Sequence, residues 1–112
     1  MSLALNTRQV QDVLLMDMSG RLSVMDQNYR EAVLSLLRAG HRHFVFKMTD
    51  ISYIDSCGLN QLVSVYTSIR NAGGSMRLAA PGRRVRQLLN ISKLDEVFEI
   101  LEDESAGLAT GF

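Results

Sequence analysis

The sequence predicts a small α/β domain, a single sheet with mostly parallel or mixed strands and helices packed on it. Three observations carry this. Strand-like and helix-like hydrophobic spacings alternate along the chain. Gly40, Gly73-Gly74 and Pro81-Gly82 punctuate the alternation. The length of 112 residues, 46% of them hydrophobic, suits one core and leaves little for a second. Each helical crossover returns the chain in the same direction, which makes neighbouring strands parallel, and right-handed crossovers set the helices against the sheet.

The elements follow in order. Asp12 to Met18 (DVLLMDM) is rich in large apolar residues and stops at Ser19-Gly20, as a strand does. From Asp26 to Ala39, the apolar residues Tyr29, Ala32, Val33, Leu36 and Leu37 form one helical stripe. Asp26 is placed to cap that helix and Gly40 to end it in a left-handed conformation. Phe44 to Met48 (FVFKM) is short, aromatic and β-branched, the composition of a buried strand. The polar run Thr49 to Ser56 reads as a loop. Beyond Gly58, the residues Leu59, Leu62, Val63, Tyr66 and Ile69 share a helix face that Gly73-Gly74 terminates. Met76 to Ala79 is a short strand, and Arg83 to Asn90 a third helix that buries Val85, Leu88 and Leu89. Val97 to Leu101 fits either a last strand or a terminal helix. Residues after Glu102 turn polar and small and are expected to fray. The whole chain, 1–112, is therefore expected to be one domain, with its core over about residues 8–102 and a tail over 103–112.

Composition excludes several classes. Twelve basic and twelve acidic side chains give zero formal net charge, which argues against non-specific adhesion to nucleic acid or to an anionic membrane. A 21% charged fraction with many aliphatics is not that of an intrinsically disordered chain. The one cysteine, Cys57, cannot form an internal disulfide and points to a reducing, intracellular setting. No apolar run approaches the roughly 18 residues that span a bilayer, and no signal sequence opens the chain. A cytoplasmic protein without membrane insertion is the expectation.

Functional loops in such sheets gather where strands hand over to helices. Here that loop reads Thr49-Asp50-Ile51-Ser52-Tyr53-Ile54-Asp55-Ser56-Cys57-Gly58. Ile51 and Ile54 anchor it inward and leave Asp55, Ser56 and Gly58 at the helix mouth. Ser56 or Asp55 serves as the N-cap, which contributes about 1 kcal/mol. The same geometry suits chemistry. A hydroxyl at a helix start lies beside free N–H groups and the positive end of the dipole, both of which stabilise a phosphate attached there. Ser56 is thus a candidate phosphoacceptor, with Gly58 keeping the approach to the backbone open.

The run D-I-S-Y-I-D-S-C-G-L, Asp50 to Leu59, resembles the signature segment of the STAS domain family, especially the bacterial anti-sigma factor antagonists. Gly20-Arg21-Leu22 resembles the same family's early S-G-x-L turn, and the order of elements agrees over nearly the whole chain. The resemblance implies a non-enzymatic partner switch without a cofactor. In that family the serine matching Ser56 is phosphorylated by a serine kinase that is also the anti-sigma factor. The unmodified antagonist binds that kinase and frees a sigma factor, phosphorylation breaks the complex, and a serine phosphatase resets it. On this reading Asp55, Cys57, Gly58, Leu59 and Asn60 form a partner-binding patch, with Arg21, Leu22 and Ser23 in a neighbouring loop. The chain departs from the pattern at Ser23, where many relatives carry Asp, at Cys57, where Ser, Ala or Thr is common, and at Asn60, a frequent Gly. The alternative is a constitutive subunit of a lipid-transport ABC complex or of a stress-signalling complex, which the missing carboxylate at Ser23 favours.

Other features have plainer readings. Cys57, near a helix start, invites redox sensing, but a small space-filling role is preferred. His41 and His43 sharing a strand face lack matching Cys or carboxylate ligands and read as a solvated pair. A hydrolase built on Ser56 needs Gly-x-Ser-x-Gly, and Ile54 stands where the first Gly belongs. Arg77, Arg83, Arg84, Arg86 and Lys93 occupy a stretch free of acids, followed by Asp95, Glu96, Glu99, Glu102, Asp103 and Glu104. With no interleaved aromatics, the arginines read as a solvated helix face rather than a nucleic-acid contact. Among the six methionines, Met25 and Met76 are candidates for a partner surface.

Overall fold

In the computed structural model, which describes residues 4–23 and 28–102, alternating apolar side chains lay down a five-stranded sheet. The elements are β1 (Ala4–Val10), β2 (Val13–Leu22), α1 (Asn28–Arg38), β3 (His43–Ile54), α2 (Ser56–Asn71), β4 (Ser75–Ala79), α3 (Arg83–Ile91), a 3-10 turn (Leu94–Glu96) and β5 (Glu99–Leu101). The strands lie side by side in chain order. β1 runs antiparallel to β2, and every later neighbour is parallel.

Each parallel crossover steps the same way across the sheet, so right-handed connections put all three helices on one face. The core confirms it. Leu14, Met16 and Met18 of β2, Phe44, Phe46 and Met48 of β3, and Met76 and Leu78 of β4 alternate onto that face. There they join Tyr29 and Val33 of α1, Leu62, Val65 and Ile69 of α2, and Val85 and Leu89 of α3. Each such side chain, fully buried, contributes about 1.5–3 kcal/mol. The intervening residues Val13, Leu15, Val45 and Ala79 make a smaller cluster on the other face. Asp17 lies on that face too, 3.5 Å from Arg8 and 4.0 Å from Lys47.

Two predicted helix stops have the expected hydrogen bonds. Gly40 N–H donates to Leu37 O and His41 N–H to Leu36 O after α1; Gly73 and Gly74 repeat the pattern on Arg70 and Ile69 after α2. Leu88, Val63 and Tyr66 pack partly buried against the core. The open choice at Val97–Leu101 resolves to a three-residue strand, β5. Asp26, Met25 and the residues after Glu102 fall outside the described residues.

Other expectations need correction. β1 was not foreseen, and it begins ahead of residue 8. Its sequence, ALNTRQV, is exposed at every residue except half-buried Leu5. Backbone pairing with β2 holds it, and burial leaves no alternating signature. The polar run Thr49–Ile54 is not a loop but the second half of β3. Between the pairs Asp17/Lys47 and Arg21/Tyr53 the register shifts twice, each shift adding a residue on β3. These bulges break the strict alternation that marks a strand. Met76 is buried in the core and offers no partner surface. Arg77 does not belong to a solvated helix face: it lies buried on β4, its Nε 3.0 Å from Glu99 Oε1. His41 precedes β3, so it shares no strand face with His43.

Tyr29 is fully buried, and its hydroxyl has no hydrogen-bond partner among the described residues. Burial pushes this phenol well above its ordinary pKa. The folded protein therefore keeps a proton that the unfolded chain loses. The associated stability is complete below about pH 10 and declines above it, by up to about 1.4 kcal/mol per pH unit. Tyr29→Phe removes an unsatisfied polar group, so urea denaturation near neutral pH should show a gain of about 1 kcal/mol. The alkaline decline should become shallower in the same variant.

Candidate functional site

The site forms where β2 and β3 end together and the chain turns into α2. Arg21 pairs with Tyr53, and Leu22 with Ile54, at the last rungs of the ladder. Inward-facing Ile51 and Ile54 are buried, as their apolar character demands, and fix the strand end to the core. Asp55 is the next residue. Its own N–H donates to Leu22 O at 3.4 Å, and its O accepts from Leu59 N–H at 2.9 Å.

The cap question resolves to Asp55. Its backbone is extended (φ −121°, ψ −177°) and its Oδ1 accepts from Gly58 N–H at 2.8 Å. Ser56 is the first helical residue, not the cap, and it is exposed. An α-helix leaves its first N–H groups without intrahelical partners. Asp55 takes that of Gly58, and those of Ser56 and Cys57 remain for solvent or an attached anion. The positive end of α2 therefore lies beside a hydroxyl that carries no structural duty.

Gly58 is the pivot. A Cβ built there would lie 2.0 Å from Leu22 O and 2.5 Å from Leu22 C, backbone atoms that have no rotamer to yield. Only a glycine lets the first turn of α2 seat directly on the end of β2. That contact brings Arg21–Ser23 next to Asp55–Gly58, as the sequence expectation required. The neighbouring segment is a strand end rather than a loop: Arg21 and Leu22 close β2, and Ser23 follows.

The nine expected residues separate by burial. Ser56, Cys57, Asn60 and Arg21 are exposed and Asp55 is half-buried. Leu22 (0% exposed), Leu59 (5%) and Ser23 (6%) are buried, as is Gly58. Leu22 and Leu59 lie in the core beneath the exposed residues, as apolar side chains here do. Cys57 is an exposed free thiol, which overturns its space-filling reading.

One residue was missed. Tyr53 holds the Arg21 guanidinium over its ring at 4.2 Å, and its hydroxyl lies 3.5 Å from Asp55 Oδ2. The stack ties a cation, an aromatic ring and the cap carboxylate into one patch. Only the β2–β3 register reveals it, and bulges made that register unreadable from spacing. No group of three or more His, Cys, Asp or Glu side chains comes together among the described residues. No described helix is long and apolar enough to cross a membrane.

Comparison with known proteins agrees with this architecture. The family model for the STAS domain matches residues 4–106. The chain belongs to the STAS domain family. Its STAS relatives include the anti-sigma-B factor antagonist of Bacillus subtilis, 24% identical over 96% of this chain and 99% of that one. The anti-sigma F factor antagonist of Paenibacillus polymyxa is 26% identical over 93% and 91%. Among solved structures, a Thermotoga maritima protein provisionally named an anti-sigma factor antagonist superposes with a TM-score of 0.87 at 23% identity, covering 94% and 92% of the two chains. Bacillus SpoIIAA in its phosphorylated form gives 0.71 at 16%, covering 92% and 96%. A sulfate transporter family protein of Wolinella succinogenes gives 0.79 at 18%, covering 91% and 86%. These structural likenesses establish the shared STAS fold.

Substitutions at four positions separate packing from capping. Gly58→Ala should cost about 1–3 kcal/mol in urea denaturation, because the clash is with backbone. Gly82→Ala, where nothing lies within 4 Å of the added carbon, should cost less than about 1 kcal/mol. Asp55→Ala should lose about 1 kcal/mol and Asp55→Asn little, whereas Ser56→Ala should stay within about 0.5 kcal/mol of wild type. A Ser56→Ala loss equal to that of Asp55→Ala would contradict the cap assignment.

Proposed function

We propose that the chain is an anti-sigma factor antagonist, a binding module without catalytic activity of its own. Unmodified, it docks on an anti-sigma factor that is also a serine kinase; phosphorylated on Ser56, it lets go; a serine phosphatase returns it to the docking form. The two relatives named above bear that antagonist name, and both align over nearly their full lengths. The observation that carries the reading is the exposed Ser56 hydroxyl at the start of α2, released from capping by Asp55.

The physical chemistry supports a switch in docking rather than in folding. A phosphoserine carries about −1.5 to −2 charge at neutral pH. At the first helical position it meets two unclaimed N–H groups and the dipole's positive end, so the folded domain tolerates it. A partner seated on the same patch must instead desolvate that charge beside the Asp55 carboxylate. A penalty of about 4 kcal/mol weakens binding about a thousandfold, most of the roughly 5.5 kcal/mol that inverts a two-state population from 1:99 to 99:1. Arg21, Asp55, Cys57 and Asn60 make the partner-facing surface in this account, and Leu22, Ser23, Gly58 and Leu59 hold it in shape.

Incubation with the serine kinase of the native host and ATP should add one phosphoryl group by intact mass. Ser56→Ala should abolish it and Cys57→Ala should not. The constitutive-subunit reading expects the reverse: no phosphate incorporated, and co-purification with a transport ATPase or a large stress-signalling assembly.

A further inference from the structure

α3 begins against the usual rules for a helix. Its N-cap, Gly82, makes no side-chain hydrogen bond, and no acidic residue stands in the first turn. Arg83, Arg84 and Arg86 crowd that end, and all three are exposed. Cations there oppose both the dipole and the free N–H groups. Arg86 donates to Pro81 O at 3.2 Å and lies 3.7 Å from Glu102, itself 90% exposed, so that pair is heavily screened. Arg83 and Arg84 have no ion pair among the described residues. Sequences break local rules chiefly where function compensates for the loss.

Apolar surface lies on the same face. Offsets of three, four, seven and eight from Arg83 place Arg86, Gln87, Asn90 and Ile91 in one stripe. These five residues line an open groove of ≈ 720 Å³. Ile91 at its end is 77% exposed, the most exposed large hydrophobic residue among those described. A merely solvated face accounts for the arginines but not for Ile91. Around the helix from this groove, Arg84, Gln87, Leu88 and Ile91 meet Ile54 in a hollow of ≈ 310 Å³. Ile54 is the last residue of β3, immediately before Asp55, so this hollow lies near the start of α2.

We propose that the outer face of α3 docks an acidic segment of a partner protein, its carboxylates against Arg83, Arg84 and Arg86 and one apolar side chain on Ile91. Charge complementarity selects an acidic occupant. Shape and context select a protein over a nucleic acid or a lipid surface. The helix is nine residues long, only about 14 Å. Asp95 and Glu96, both exposed, follow at its far end, and the chain has no net positive charge. A long polyanion would meet repulsion there, and a phosphate backbone has no use for an apolar anchor. The surface acts whether or not Ser56 is modified.

The test titrates the full chain, with labelled backbone nitrogen, by NMR against a synthetic peptide of glutamates around a central leucine pair. The same peptide with lysines, a short DNA duplex and phosphatidylglycerol vesicles serve as rivals. The glutamate peptide should shift α3 and Ile54 resonances and weaken with added salt. The triple variant Arg83→Gln, Arg84→Gln, Arg86→Gln should bind about tenfold or more weakly, as should Ile91→Ser, while Arg38→Glu on α1 should bind as wild type. The triple variant should also resist urea better than wild type, since it relieves the helix start. Opposite changes in stability and binding are what a purely structural role for the arginines does not produce. Absence of shifts on α3, binding indifferent to the triple substitution, or tighter binding of any rival probe would overturn the proposal.

Discussion

The seating of α2 on the end of β2 is the contact on which the rest depends. Asp55 ends the strand and starts the helix, and its carboxylate holds the Gly58 N–H at 2.8 Å. Gly58 brings backbone against backbone, within a distance that a Cβ would forbid. The result is a helix whose first turn is fixed from one side by the sheet and open on the other. Ser56 and Cys57 occupy the open side. Rigid support beneath an accessible hydroxyl is what a modification site requires if the modification is to alter docking without unravelling the fold.

That division of labour recurs among the neighbouring residues. Leu22, Leu59, Ile51 and Ile54 are buried and belong to the core, although they alternate in sequence with residues that face solvent. Around them Arg21, Tyr53 and Asp55 form a charged and aromatic rim in which the guanidinium stacks on the ring and the phenol approaches the carboxylate. Ser23 is buried, which places it under the patch rather than on it. The local field around Ser56 is therefore set by Asp55, Arg21 and the helix terminus.

Sequence reading reached the parallel order of β2, β3 and β4, the three helices and the start of α2 as the place to look for a site, because burial writes periodic patterns. It failed where other forces hold the chain. β1 is held by edge hydrogen bonds and is nearly all exposed. The far half of β3 pairs through two bulges, so Thr49 to Ile54 reads as a polar loop. Asp55 and Ser56 are both good cap residues, and only backbone geometry separates them. Tyr53 carries no signal of its own, since its role comes from the strand opposite. Ile91 lay inside a stretch read by its charges, which concealed its exposure.

The central claim is that a single charge at Ser56 changes partner affinity while leaving the fold in place. The most direct measurement installs phosphoserine at position 56 during synthesis and compares its affinity for the proposed anti-sigma partner with that of the unmodified chain, alongside urea denaturation of both. The account predicts affinity lower by about a thousandfold with nearly equal stability. Equal affinities, or a loss of binding that simply follows unfolding, would contradict it.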